Sequence, residues 1–346
     1  MTESIAVYLD PMCPYANQTA ITEQVDDMFE RPGEFGTTYA VVVLRAGEIV
    51  AERYGGALPH LDRPDESVGP ETPLLSWSVA KSVLHAAVGV LAGEGRLDPD
   101  VPVGAPEWAA VGDPRAAITI EHLLTMRDGL AFTEDYVDAG SSDVIEMLFG
   151  SGRADTAHFA ADRPLAHAPG TVFNYASGAS NIVARAVGDV VGRGAETEAW
   201  LREAIFDPLG MTSARIRLDD AGTFIASSFV YATARDWVRF GECYLRGGRA
   251  GGRQIVPADW AAHGWRIRSR DPETGTPYGA HWWGLPGPGP EAGYAGGYAG
   301  QRVLVCPAAD LVVARFGNSE ADQYPAIARW CRRVIEAVGS AATFRP

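Results

Sequence analysis

The chain has 346 residues, 47% of them hydrophobic, enough to bury a large core in one or two intimately packed domains. Its net charge of −15, without a basic patch, argues against a nucleic-acid partner or an anionic membrane surface. No apolar run approaches the roughly 18 residues of a membrane span. The N-terminus carries neither the basic segment nor the continuous apolar stretch of a signal peptide, so a cytoplasmic location is expected. Cys13, Cys243, Cys306 and Cys331 are scattered without metal-ligand spacing and read as reduced thiols. The seven histidines fall singly, so no metal centre is expected.

Residues 18–29 have the pattern of a short amphipathic helix, followed by a turn at Arg31-Pro32-Gly33. Segments 39–44 and 48–54, joined at Ala46-Gly47, read as a β-hairpin. A loop over 55–73, rich in Pro, Gly and charge, leads into a helix that is apolar almost all round across 79–91 and should end near Gly93–Gly95. Thr119 offers an N-cap hydroxyl with Glu121 in the first turn, so a helix is expected from there to Gly129. Loops are expected near 150–172, helices over 181–191, 196–205 and 230–244, and a surface turn over 246–252. The last third predicts strands near 281–285, 300–306 and 311–316, a loop by composition over 285–296, and a final helix over 323–338. Strands at both ends with helices between them predict an α/β (α+β) fold. One sheet is expected from the N- and C-terminal parts (1–95 and 226–346), around a mostly helical insertion at 96–225.

Within this frame the stretch Ser76-Trp77-Ser78-Val79-Ala80-Lys81-Ser82 stands out, because Lys81 is the only lysine among 29 basic side chains. Positions i and i+3 share a helix face, which sets Ser78 one turn from Lys81. An arginine keeps its proton, whereas a buried lysine can be tuned to release it and serve a neighbouring hydroxyl as base. A lone lysine at the start of a buried helix is costly unless it is paired, neutral or functional. Ser76 and Ser82 can equally be read as capping hydroxyls.

Two further stretches suit the same chemistry. Phe173-Asn174-Tyr175-Ala176-Ser177 places a tyrosine and a hydroxyl on a loop before a helix, where they could shuttle protons. Gly293-Tyr294-Ala295-Gly296-Gly297-Tyr298-Ala299-Gly300-Gln301 leads into a strand, and glycines there allow close backbone approach and backbone N–H donors for an oxyanion. The nucleophile elbow Gly-x-Ser-x-Gly is absent.

Taken in this order, the three stretches resemble the serine β-lactamase and penicillin-binding-protein superfamily, on its class C β-lactamase-like branch with esterases and 6-aminohexanoate-dimer hydrolases. Stretches at 119–130, 231–241, 278–283 and 300–307 extend the resemblance over roughly residues 35–340. It implies a β-lactamase/transpeptidase-like fold with an antiparallel sheet and the active site between the two parts of the chain. It also implies roles: Ser78 as acylated nucleophile, Lys81 as its base, and Tyr175 as proton relay to the leaving group. Ser177 stands where the tyrosine motif usually has asparagine. The backbone N–H groups of Ser78 and Tyr298 would form the oxyanion hole, beside Gly297. Tyr136, in Phe132-Thr133-Glu134-Asp135-Tyr136, would contact substrate, with Trp283 or Trp282 lining the pocket.

One departure bears on substrate. The third motif of β-lactamases and penicillin-binding proteins carries a lysine or histidine that helps hold a substrate carboxylate. The glycine stretch of this chain has neither. Losing such a charge-assisted contact costs about 1.5–3 kcal/mol. The expected activity is therefore hydrolysis of a small amide or ester through an acyl-enzyme, without metal or organic cofactor. A β-lactamase or D-stereospecific peptidase, and a non-catalytic binding protein on the same fold, are the alternatives. Amide or ester preference and oligomeric state have no signature in the sequence.

Overall fold

The computed structural model describes residues 17–58, 65–137 and 140–339. Among these, eight strands form one antiparallel sheet: β1 (Thr37–Arg45), β2 (Glu48–Tyr54), β3 (Ser269–Arg270), β4 (Pro277–Tyr278), β5 (Trp283–Gly284), β6 (Gly293–Gly297), β7 (Gln301–Cys306) and β8 (Leu311–Asn318). Their order is β3-β4-β5-β6-β7-β8-β1-β2, so the N-terminal hairpin is zipped onto the last strand through β1 and β8. The longest register in the described sheet, eight pairs between β1 and β8, thus joins its N-terminal and C-terminal parts.

Alternation along the strands separates two apolar layers. Val41, Val43, Leu304 and Val313 face a layer shared with α1 (Gln18–Glu30) and the C-terminal helix. Ala40, Val42, Val303, Val305 and Ala314 face a larger core. That core takes in α2 (Ala80–Gly93), α3 (Ser177–Val191), α4 (Ala234–Leu245) and the short helices between 120 and 206, so sheet and helices share one interior. The last helix, α5 (Tyr324–Gly339), is tied to α1 by the Trp330 indole N–H donating to the Gln24 carbonyl at 2.8 Å and by Arg333 with Asp27 at 3.1 Å. Among the described residues no helix is long and apolar enough to cross a membrane. Cys243, Cys306 and Cys331 are free and buried, and Cys13 lies outside the described residues.

Several expected elements shift for local reasons. The helix expected from 119 to 129 covers only Ile120–Leu124, because Met126 takes φ 57° and turns the chain away. The helix expected over 230–244 begins at Ala234. Val230–Ala232 instead pairs as a strand with Leu74–Leu75, and the Thr233 hydroxyl caps the helix by accepting from Asp236 N at 3.2 Å. The segments expected as loop at 150–172 and 285–296 contain a helix, Thr156–Ala161, and the strand β6. The glycine-rich β6 pairs through its backbone along β7, which side-chain propensity does not register.

Candidate active site

The turn before α2 presents the nucleophile candidate. Trp77 sits at φ 47°, a left-handed conformation that is costly for a bulky side chain and persists only where the surroundings enforce it. Here Ser76 N donates to the Val230 carbonyl at 2.9 Å, and the Ser76 hydroxyl donates to Trp77 O at 3.0 Å and accepts from Val230 N at 3.3 Å. Ser76 is thus bound to a neighbouring strand, and Ser82, whose hydroxyl donates to the His281 carbonyl at 2.7 Å, bonds across to another segment. Ser78 follows at the mouth of α2, only 8% exposed.

Lys81 Nζ lies 2.9 Å from Ser78 Oγ, 3.1 Å from Ser177 Oγ and 2.8 Å from the Ser227 carbonyl, and 5.1 Å from the centre of the Tyr175 ring. Its side chain is buried, and desolvation pushes its pKa down to about 8 although the charge of Glu134 pulls the other way. The neutral form is therefore far more accessible near physiological pH than in an ordinary lysine, and it becomes dominant above about pH 8. The Tyr175 hydroxyl neighbours the Ser78 side chain, and burial, reinforced by the Glu134 charge, raises its pKa. The phenol is therefore protonated and suited to donate rather than to act as a base. Its ring is held against Trp283 and Tyr278, with centroids 5.4 and 6.0 Å away.

The glycine stretch closes the other side. An added Cβ at Gly297 would sit 2.5 Å from the Ser76 carbonyl and 3.2 Å from Ser78 N, so β6 runs against the nucleophile turn at a distance only glycine permits. Tyr298 comes next, its ring 5.5 Å from Trp77 and 5.0 Å from Tyr136. Tyr136 exposes 40% of its surface but turns its hydroxyl inward to Glu134. Ser78, Lys81, Tyr175, Ser177, Tyr136, Gly297, Tyr298 and Trp283 are thus gathered in one place. Trp282 is not. It is fully buried, with its ring 4.5 Å from Tyr244 and 5.5 Å from Trp265, and the expectation that it lines the pocket is corrected. Adjacent residues at this strand start point to opposite sides, and Trp283 is the one on the site.

Three participants were not singled out from sequence. The Glu134 carboxylate accepts from Ser177 N at 2.7 Å and from the Ser177 hydroxyl at 2.6 Å. Ser227 supplies its carbonyl to Lys81 and is itself held by Asn181, whose side-chain oxygen accepts from Ser227 N at 3.1 Å. Glu134 lay two residues from Tyr136 in a stretch already marked, but its partner is 43 residues away and no spacing links them. Among the described residues no cluster of His, Cys, Asp and Glu is arranged to hold a metal ion.

Comparison with known proteins bears on the family and the fold. A family profile described as Beta-lactamase matches residues 26–334. A 6-aminohexanoate-dimer hydrolase of Paenarthrobacter ureafaciens is 29% identical over 334 residues, covering 89% of this chain and 79% of its own. Among solved structures, a penicillin-binding protein homologue from Caulobacter crescentus superposes with a TM-score of 0.71 at 21% identity, covering 94% of this chain and 97% of that one. A family VIII carboxylesterase does so with a TM-score of 0.67 at 19% identity, covering 92% and 97%. With the family matched over most of its length and the fold in agreement, the chain belongs to the beta-lactamase family and is a serine hydrolase.

Proposed function

We propose that the protein hydrolyses a small amide or ester through an acyl-enzyme on Ser78. The observation that carries this reading is the 2.9 Å contact between Ser78 Oγ and a buried Lys81 whose pKa is pushed down to about 8. In the proposed reaction Ser78 Oγ attacks the substrate carbonyl carbon as its proton passes to the Lys81 lone pair. The carbonyl π electrons move onto oxygen, and the oxyanion is received by the backbone N–H groups of Ser78 and Tyr298. When the tetrahedral centre collapses, the bond to the leaving amine or alkoxide breaks and Tyr175 protonates it, drawing on the proton held by Lys81. Water then attacks the ester on Ser78 with the same groups in reverse, releasing the acid.

Amide and ester substrates both find support in the relatives, one a 6-aminohexanoate-dimer hydrolase and another a carboxylesterase. A β-lactam is disfavoured at the third motif. Arg315, which touches this turn, is fully buried and donates to the Ala299 and Gly300 carbonyls at 3.2 and 3.1 Å, beneath the pocket rather than toward it.

Intact mass after exposure to an alkyl fluorophosphonate tests the reading. A single adduct on the wild type that vanishes in Ser78→Ala is expected, and an adduct that persists in Ser78→Ala would sink the assignment. Turnover of a short-chain nitrophenyl ester or a linear amide above that of a chromogenic cephalosporin is expected next. The reverse order would favour the β-lactamase alternative.

A further inference from the structure

A lysine serves as a base only if its lone pair, not one of its hydrogens, faces the proton to be taken. The contacts around Lys81 determine which way it points. Nζ has three close oxygens: the Ser227 carbonyl at 2.8 Å, Ser177 Oγ at 3.1 Å and Ser78 Oγ at 2.9 Å. The carbonyl can only accept. Ser177 has one hydroxyl proton, and a carboxylate oxygen of Glu134 lies 2.6 Å away to receive it. With its hydroxyl hydrogen directed to Glu134, Ser177 can offer Lys81 only a lone pair. The two hydrogens of neutral Lys81 are thereby assigned to Ser227 and Ser177, and the remaining tetrahedral direction faces Ser78. Glu134 is itself fixed by Ser177 N at 2.7 Å and by the Tyr136 hydroxyl, so its two oxygens are committed as acceptors.

We propose that Glu134 is a positioning residue that acts through Ser177: by accepting a hydrogen bond from the Ser177 hydroxyl it makes Ser177 an acceptor for Lys81 and leaves the lysine lone pair facing Ser78. This deepens the acyl-enzyme reading and rests on it. It also ties the serine at position 177 to a carboxylate. An asparagine there would present an amide oxygen that accepts from lysine unaided, whereas a serine has to be told which way to donate. The charged and titratable groups facing Nζ are Glu134 from the loop after Phe132, Tyr175 before α3 and His281 before β5. Tyr175 is held protonated, and burial with the nearby Lys81 charge keeps His281 neutral, so Glu134 carries the charge that acts on the lysine.

The test is the rate of fluorophosphonate labelling of Ser78 in the full chain, followed by intact mass from neutral to alkaline pH. Wild type, Glu134→Gln, Ser177→Ala and the double variant are compared. In Glu134→Gln a carboxamide N–H can donate to Ser177 and reverse its direction. Plateau labelling is expected to fall about tenfold or more, the scale of one charge-assisted hydrogen bond. The pH midpoint should move to lower pH, because the charge that favours protonated Lys81 is gone. Ser177→Ala should slow labelling to a similar degree, and the double variant should be no slower than Ser177→Ala alone.

A Glu134→Gln variant that keeps the wild-type midpoint, or losses that simply add in the double variant, would overturn the proposal. If Glu134→Gln does not fold, Ser177→Ala and Ser177→Asn carry the test. The first should label slowly and the second at close to the wild-type rate, and equal slowing in both would overturn the proposal too. A wild type that does not label at Ser78 is a separate result, because it removes the acyl-enzyme reading itself.

Discussion

Lys81 concentrates the chemistry of this protein in one side chain whose charge state is set by burial. Because desolvation lowers its pKa to about 8, the fraction able to accept a proton from Ser78 rises as pH rises through that value. The kcat/KM for an uncharged ester should therefore climb through about pH 8 to a plateau, and a profile already flat from neutral pH would contradict the assignment. Lys81→Arg keeps a cation but not a base, since a guanidinium does not release its proton. Turnover should fall by about 10²- to 10⁴-fold with the fold intact by circular dichroism.

His281 is a second buried titratable group with a different consequence. Burial, then the Lys81 charge, push its pKa down to about 3 from the ordinary 6.5, while its ring nitrogens meet the Leu124 carbonyl at 2.9 Å and the Ser180 hydroxyl at 3.0 Å. The folded value is depressed, so between these limits the unfolded chain binds the proton more readily. The stabilisation from neutral His281 is complete above about pH 6.5 and is lost as pH falls toward 3. His85 has the same sign. In calorimetry, His281→Asn should show a smaller drop in Tm from neutral to mildly acidic pH than the wild type. Asparagine tolerates the φ of 56° found there.

At the scale of elements, α2 illustrates how tertiary contact overrides local propensity. Gly89 lies in mid-helix, where replacement by alanine ordinarily gains about 1 kcal/mol. Here a Cβ would come 2.1 Å from Cδ1 of Trp260. That indole cannot easily retreat, because its N–H donates to the His85 carbonyl at 2.8 Å and its ring stacks on His85 with centroids 5.1 Å apart. Gly89→Ala should therefore destabilise the protein by about 1–3 kcal/mol in a urea titration. A gain in stability would show that the helix and the segment 258–265 separate more readily than this packing implies.

For the whole molecule, the central joint is Arg315 on β8. It is fully buried and donates to the Phe35 carbonyl at 2.9 Å, the Ser319 hydroxyl at 2.8 Å and the Ala299 and Gly300 carbonyls. One guanidinium thus joins the start of the sheet, its last strand and the turn that carries Tyr298. Arg315→Met would take the donor from the buried Gly300 carbonyl and Ser319 hydroxyl oxygen, while the Phe35 and Ala299 carbonyls keep Ser319 as donor, and a loss of about 3 kcal/mol in the urea titration is expected. Labelling of Ser78 should slow as well, because the turn beside Trp77 loses its support. A stable variant with slowed labelling would place the effect in the turn alone.

Features that rest on local pattern were readable from consecutive residues. The lone lysine three residues after Ser78, the apolar all-round helix behind it, and the alternating strands at both ends were legible because i, i+3 spacing and period-two burial are written in consecutive residues. Tertiary structure decided whatever depends on partners far apart in the chain. The commitment of Ser177 to Glu134, the Ser227 carbonyl beneath Lys81 and the Asn181 that holds it are contacts between segments 43 to 146 residues apart. β6 was equally hidden, since a strand made largely of glycine is specified by the backbone of its neighbours. Trp282 and Trp283 are alike in composition and adjacent in sequence. Only the packing of the sheet sends one into the core and the other against Tyr175.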